Sequence, residues 1–357
     1  MKILLTGGGT LGSVTPLLAL VEAWRKRDVS VEFVWIGTKN GPERKLVEEE
    51  YAIRFFQISV ARFPRYFSIE LLFLPIQFLR ALIASVKVVI KEKPNVVIGA
   101  GGFTQVPVIF SAWIFGVSSA IFQTDVQPLL SNKLVIPFVK NIFVAWKQTV
   151  SFFLKPNTKH PKPIFTGVPV RESLLHGSKG KAIERFHLDK NKLTVLVFGG
   201  GTGAEWLNEQ IFEIAPQLCK KANILHLTGI GKRSELAQVE GYVAVESLGK
   251  EMADVYAVAD LVVARAGIGT IAELSALRKP AILIPLPNSI QEDNASALKD
   301  SARVLVQENI TSEILLKEIC LLLNNSDVRT QYSSCISSIL RTDVADDIID
   351  YIVTSSR

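Results

Sequence analysis

Twice in this sequence an apolar run of strand length ends in three consecutive glycines, a pattern suited to cradling phosphate. The first is Ile3-Leu4-Leu5-Thr6 followed by Gly7-Gly8-Gly9-Thr10-Leu11-Gly12, and the second is Leu193 to Phe198 followed by Gly199-Gly200-Gly201-Thr202-Gly203. A glycine turn between strand and helix lets backbone N–H groups approach an anion, and the helix N-terminus adds partial positive charge. A third loop, Ala264-Arg265-Ala266-Gly267-Ile268-Gly269-Thr270-Ile271-Ala272-Glu273, again puts glycines and a hydroxyl after a strand-like run. Glu273, about one helical turn in, could accept hydrogen bonds from ribose hydroxyls; the plainer reading is a helix-capping glutamate after Thr270. Each glycine turn also reads as a tight turn with close helix packing. No Gly-Lys-Ser/Thr follows either turn, which excludes a Walker A loop, and neither fits the dinucleotide pattern cleanly. Glu32 lies near the acidic position of that pattern, so an oxidoreductase stays open as a weaker reading.

These loops need a scaffold of strands, and the sequence supplies one. Strands are expected at 2–6, 31–36, 95–99, 119–123, 142–145 and 163–166, then at 193–198, 223–227, 242–245, 260–263 and 281–285, separated by helical patterns. Nearly continuous apolar strands such as Val195-Leu196-Val197-Phe198 indicate parallel sheets covered on both faces. The alternation gives an α/β chain of two doubly wound domains. The 357 residues suit two domains of roughly 150 each. Pro156, Pro161, Pro163 and Pro169 and the polar stretch Gly177-Ser178-Lys179-Gly180 mark the break near 165–190. The expected division is 1–165, 166–335 and a C-terminal segment 336–357.

Hydrophobic residues make up 48% and charged residues 21%, which argues against disorder. A net charge of +6 suits an anionic ligand or a membrane surface but is too diffuse to indicate nucleic acid. Cys219, Cys320 and Cys335 have no paired metal spacing and read as reduced thiols. The sequence shows no signal-peptide pattern at its start. Nothing between Lys93 and Asp125 is charged, but Gly99, Gly101, Gly102, Pro107 and Gly116 divide that stretch into strand, loop, helix and strand, whereas a span needs about 20 unbroken apolar residues.

Thr10-x-Gly12, Gly101-Gly102-Phe103, Asn132-Lys133-Leu134, Thr166-Gly167-x-Pro169-Val170-Arg171, Gly199 to Ala204, His226-x-Thr228-Gly229, Arg265-Ala266-Gly267-x-x-Thr270-x-x-Glu273 and Gln291-x-x-Asn294-Ala295 occur in this order. Together they resemble the MurG family, the UDP-N-acetylglucosamine transferases of peptidoglycan synthesis, over nearly the whole chain. The resemblance implies a GT-B fold, two Rossmann-like domains facing across a cleft with the C-terminal helix returning to the first. It implies transfer of N-acetylglucosamine from UDP-N-acetylglucosamine (UDP-GlcNAc) to the 4-hydroxyl of the muramic acid sugar of lipid I, with inversion, giving lipid II at the cytoplasmic face of the cell membrane. By matching positions, Arg171, Gly201, Thr202, Gly249, Ile268, Gly269, Thr270, Glu273 and Gln291 would surround UDP and its sugar, and Thr10, Leu11, Gly12 and Asp125 would face sugar and acceptor. Inverting transfer needs a base for the acceptor hydroxyl and stabilisation of the departing diphosphate. The glycine loops, the helix N-termini and Arg171 can do the second. No Asp-x-Asp site is evident, so neither a metal nor a cofactor is expected.

The chain departs from the family where the base would be. Leu11 and Ser13 stand in the first loop where the family has glycine and histidine, and Phe122-Gln123-Thr124-Asp125 stands for His-Glu-Gln-Asn. Serine is a poor base. Either the chain is a non-catalytic or differently specific relative, or another group deprotonates the acceptor. Asp125 is the candidate for that group, alongside Ser13, although Asp125 could equally preserve only a hydrogen-bond acceptor. Gly201 replaces a serine near the phosphates.

A lipid-linked acceptor requires contact with the bilayer. From Arg62 to Lys93 the sequence carries Arg62, Arg65, Arg80, Lys87, Lys91 and Lys93 against Glu70 and Glu92, with Phe63, Tyr66, Phe67, Leu71, Leu72, Phe73 and Leu74 among them. Such a patch fits peripheral docking on anionic lipid. Residues 63–74 are expected to face the membrane and 76–90 to form an ordinary core helix. Two alternatives remain open: another UDP-sugar transferase or epimerase, and a binding-only relative.

Overall fold

The strand-forming runs assemble two parallel sheets in the computed structural model, which describes residues 1–60, 70–154, 160–201, 203–232 and 239–356. In the first sheet β1 (Lys2–Thr6), β2 (Glu32–Thr38), β3 (Arg54–Ile58), β4 (Val96–Gly99), β5 (Ser118–Gln123), β6 (Asn141–Val144) and β7 (Pro163–Phe165) lie in the order β3-β2-β1-β4-β5-β6-β7. The second holds β8 (Leu193–Phe198), β9 (Ala222–Leu227), β10 (Tyr242–Val245), β11 (Leu261–Ala264), β12 (Ala281–Leu283) and β13 (Arg303–Val304) in the order β10-β9-β8-β11-β12-β13. All pairings are parallel. Both β3 and β13 were unforeseen, and both are edge strands. β3 carries Arg54 and Gln57 within it, and β13 has only two residues, so neither shows the buried-strand pattern.

Successive side chains of a strand point to opposite faces, and in the first sheet both faces are covered. Ile3 and Leu5 join Phe33, Trp35, Val96 and Ile98 under helix Thr15–Arg27, whose Leu17, Leu18, Val21 and Trp24 are buried there. Leu4 joins Val34, Ile36, Val97 and Ile121 on the other face, against Val108, Ile109 and Ala112 of helix Gln105–Ile114. In the second sheet Val195, Val197, Ile224 and Val263 pack on Leu207, Ile211 and Ile214 of helix Glu205–Leu218 and on Leu315 and Ile319 of helix Ser312–Asn324.

The chain divides into two compact units, Met1–Arg171 with Asp343–Arg357, and Glu172–Thr342. The divisions therefore fall at 171/172 and 342/343 rather than at 165/166 and 335/336. Residues 336 and 337 end helix Ser326–Ser337, where Ile336 is buried and its carbonyl accepts from Ser275 Oγ at 2.8 Å inside the second unit. Helix Ala345–Ser356 packs in the first unit through Ile348, Ile349 and Ile352. Its ion pairs from Arg27 to Asp346 and Asp350, each at 2.6 Å, lie at the surface and contribute little beside that apolar burial.

Candidate functional site

In an open parallel sheet a ligand crevice forms at the carboxyl ends of the strands, where the strand order reverses. That point lies between β1 and β4 in the first unit and between β8 and β11 in the second. The first and second glycine turns, the Gly101-Gly102 loop and the Arg265–Glu273 loop all start at these strand ends.

The first turn is closed by a residue the sequence reading missed. Glu43 is fully buried; its Oε2 accepts from Gly9 N at 3.2 Å, and its Oε1 accepts from Thr38 N at 2.7 Å and Thr38 Oγ1 at 2.5 Å. The carboxylate fits because Gly8 and Gly41 lack side chains; a Cβ there would come within 2.2 and 1.9 Å of its oxygens. Trp35 Nε1 donates to Gly7 O at 3.0 Å. Thr10 is exposed, Leu11 and Gly12 are half-buried, and Leu11 rests on the core. Ser13 is buried, and its hydroxyl donates back to Thr10 O at 3.2 Å, closing the single turn Leu11–Ser13. The hydroxyls of Thr6 and Thr104, both buried at this switch point, have no hydrogen-bond partner among the described residues.

Asp125 sits in a loop after β5 that is held by its backbone. Four consecutive carbonyls accept from side chains of surrounding elements: Thr124 O from Trp146 Nε1 at 2.9 Å, Asp125 O from Gln123 Nε2 at 2.8 Å, Val126 O from Thr149 Oγ1 at 2.7 Å and Gln127 O from Gln123 Nε2 at 2.8 Å. Asp125 itself is buried to 6% exposure. Arg171 is the last residue of the first unit, and its guanidinium lies near the hydroxyl of Tyr51, which itself donates to Glu22 Oε1 at 2.6 Å. Burial raises the Tyr51 phenol well above its usual range, with the Arg171 charge opposing that shift.

The second turn has a different backbone from the first. The third glycine of the first turn, Gly9, takes positive φ (+84°), whereas in the second turn it is the middle one, Gly200 (+87°). Gly203 (φ +70°) lets the turn touch the loop after β9; a Cβ there would lie 2.2 Å from Thr228 O. Behind the contact, Asn208 Nδ2 donates to Thr228 O at 2.9 Å, which leaves Asn208 Oδ1 to accept from His226 Nε2 at 3.1 Å. The other ring nitrogen, Nδ1, then accepts from Tyr242 OH at 2.8 Å. Burial lowers the His226 pKa to about 4, so the ring is neutral and structural. No acidic side chain takes the amides of Gly199, Gly200 or Gly201 among the described residues, in contrast to Gly9. Gly201 is half-buried, and Thr202 lies outside the described residues.

Helix Ile268–Leu277 starts after Gly267, its N-cap, with no side-chain cap. Thr270 is thus already helical and Glu273 is no capping residue; its Oε2 accepts from Tyr256 OH at 2.7 Å. Ile268 is buried, while Gly269 and Thr270 are half-buried at the first turn of that helix. Arg265 is buried and spans two loops, Nη1 donating to Ile284 O at 3.1 Å and Pro285 O at 3.2 Å, with its guanidinium 5.7 Å from the Trp206 ring centre. Burial lowers its pKa from the usual guanidinium range. Gln291 Oε1 accepts from Leu286 N at 3.1 Å and closes the loop after β12. Gly249 begins the turn into helix Met252–Val258, its carbonyl accepting from Met252 N at 3.1 Å. Among the described residues no group of three or more His, Cys, Asp or Glu side chains converges as metal ligands. Tyr256, Asn208 and Glu43 carry no local sequence signal beyond the acidic first turn that Glu43 opens.

Known proteins place this architecture. The model of the glycosyltransferase family 28 N-terminal domain matches residues 3–144, and that of the C-terminal domain matches residues 194–348. A relative from Clostridium perfringens (strain SM101 / Type A), named UDP-N-acetylglucosamine–N-acetylmuramyl-(pentapeptide) pyrophosphoryl-undecaprenol N-acetylglucosamine transferase, is 36% identical over 325 residues, covering 89% of each chain. The crystal structure of Acinetobacter baumannii MurG superposes with a TM-score of 0.68 at 23% identity over 99% of both chains. UDP-GlcNAc 2-epimerase from Neisseria meningitidis, bound to UDP-GlcNAc, superposes with 0.74 at 13% identity over 99% of this chain and 100% of the other, a likeness of fold alone. The two Rossmann-like domains are those of the GT-B fold, and the chain belongs to glycosyltransferase family 28.

Proposed function

We propose that this chain transfers N-acetylglucosamine from UDP-GlcNAc to the 4-hydroxyl of the muramic acid sugar of undecaprenyl-diphosphate-linked N-acetylmuramyl-peptide, with inversion at the anomeric carbon. The observation that carries this reading is the 36% identity to the Clostridium perfringens transferase over 89% of the chain. In this reading the second unit holds the donor. The amides of Gly199 to Gly201 and the N-terminus of helix Ile268–Leu277 bear the charge that develops on the departing diphosphate. Glu273, oriented by Tyr256, receives the ribose hydroxyls, and Gln291 and Gly249 line the same ligand. Arg171 is proposed to reach the phosphates as a cation.

In the first unit Asp125 takes the proton of the acceptor hydroxyl, since Ser13 commits its hydroxyl to Thr10 O. Thr10, Leu11 and Gly12 shape the surface over which the acceptor sugar lies. The deciding experiment incubates the chain with radiolabelled UDP-GlcNAc and lipid I. Labelled lipid II is the expected product; UDP-N-acetylmannosamine formed without acceptor would instead mark an epimerase, and donor binding without either product a binding-only relative.

The acceptor's lipid anchor is met by peripheral docking on an anionic membrane surface. Support comes from helix Glu70–Glu92 and its neighbour Gln105–Ile114. Ile76, Phe78, Leu79, Ile83 and Ile90 of the first are exposed, as are Trp113 and Ile114 of the second and the following Phe115. Segment 76–90 is therefore not the simple core helix expected: only one stripe, with Ala81, Ser85, Val88 and Val89, is buried. Arg80, Lys87, Lys91 and Lys93 are exposed along the same stretch. Of the 63–74 segment, 63–69 lies outside the described residues, and residues 70–74 form the first turns of the helix. No helix of the described residues is long and apolar enough to cross a membrane.

A further inference from the structure

Behind the second glycine turn a single file of buried polar side chains runs from β10 through β9 to helix Glu205–Leu218. Tyr242 OH donates to His226 Nδ1 at 2.8 Å, His226 Nε2 donates to Asn208 Oδ1 at 3.1 Å, and Asn208 Nδ2 donates to Thr228 O at 2.9 Å. Tyr242, His226, Asn208 and Thr228 are all buried. The last acceptor fixes the direction of the file. A carbonyl oxygen only accepts, so the Asn208 amide turns its nitrogen to Thr228 and its oxygen to the ring, which selects the Nε2–H tautomer.

Thr228 O is also the atom on which the glycine turn rests. A Cβ at Gly203 would lie 2.2 Å from it and 2.9 Å from Gly229 Cα, and Gly203 N closes the turn on Gly200 O at 3.0 Å. Asn208 stands in the first turn of the helix that follows, its own N–H bonded to Ala204 O at 2.9 Å. Its side chain thus ties the loop after β9 to that helix, with the glycine turn held between them.

We propose that Asn208 and His226 are positioning residues for the second glycine turn, holding the amides of Gly199 to Gly201 at the spacing a nucleotide diphosphate requires. The proposal deepens the proposed function and rests on this turn carrying the donor's diphosphate. Leucine at 208 would leave Thr228 O buried without its donor, and the loop after β9 would draw away from Gly203. Leucine at 226 would free the Asn208 amide to turn. Glutamine at 226 offers one donor and one acceptor, and so preserves the direction of the file.

The test titrates the full chain with UDP and with uridine by calorimetry, with denaturant unfolding to confirm that each variant is folded. Asn208→Leu and His226→Leu should each bind UDP about tenfold more weakly, the scale of one lost buried hydrogen bond, and uridine within about twofold of wild type. His226→Gln should recover UDP affinity to within about threefold of wild type. Gly203→Ala separates the turn from Thr228 without touching the buried file, should act like the leucine variants, and decides the matter if those unfold. Wild-type UDP affinity in folded leucine variants or in Gly203→Ala, or an equal loss for UDP and uridine, overturns the positioning role alone. His226→Gln as weak as His226→Leu removes His226 from it. A wild-type chain that binds UDP no more tightly than uridine overturns the diphosphate reading of the turn and the positioning role with it.

Discussion

Gly9 and Glu43 are joined by a hydrogen bond from the glycine amide to a fully buried carboxylate, 3.2 Å long, across 34 residues of sequence. The first glycine turn therefore already has an acidic side chain as its acceptor, supplied by the fold, whereas the second turn's amides face no acidic side chain among the described residues. Glu43→Ala strips acceptors from Gly9 N, Thr38 N and Thr38 Oγ1 at once. The expected cost is about 2–5 kcal/mol of stability, read by denaturant unfolding. Glu43→Gln should cost less, about 1–3 kcal/mol, because an amide keeps one oxygen and turns a donor toward one of these N–H groups. Unfolding midpoints equal to wild type in both would refute the latch.

His226 predicts a dependence of stability on pH. Burial holds its folded pKa near 4, below the ordinary value of 6.5, so folding favours the neutral ring. Its contribution is fully present above about pH 6.5 and is lost as pH falls toward 4, amounting to about 3 kcal/mol. Unfolding at pH 7.5 and pH 4.5 should show that loss in the wild type and a smaller one in His226→Gln.

Tyr256 orients Glu273 through its hydroxyl. Tyr256→Phe should raise the KM for UDP-GlcNAc by about 5- to 10-fold with kcat little changed, the usual net worth of one hydrogen bond. Glu273→Gln should weaken UDP binding further. An unchanged donor KM in both variants would remove Glu273 from the nucleotide site.

The base assignment is tested by Asp125→Asn. Turnover should drop by about 10²- to 10⁴-fold, the range of general base catalysis, with UDP affinity retained. Ser13→Ala, which removes only the bond to Thr10 O, should lower kcat by less than about tenfold.

Docking on lipid is tested by Ile76→Asp combined with Leu79→Asp, at positions 51% and 55% exposed. Co-sedimentation with anionic vesicles should fall several-fold while UDP binding is unchanged. Sedimentation equal to wild type would sink the membrane assignment for this helix.

The sequence by itself determined where the strands of the two sheets run, apart from two edges, and that a glycine turn stands at the end of β1 and of β8. These features are local: apolar runs of strand length, and glycines directly after them, mean the same thing wherever they occur. It also determined the family, through motifs spaced along nearly the whole chain. Tertiary structure alone decided what closes or orients those turns. Glu43 reaches Gly9 and Tyr256 reaches Glu273 across 34 and 17 residues, and Gln105 reaches Asn132 across 27. No periodicity or propensity encodes such pairs, because they exist only once packing has brought separate elements together and buried polar groups must find partners. The same reason separates the two glycine turns, alike in sequence. One grew around a buried carboxylate at Gly8 and Gly9; the other settled against Thr228.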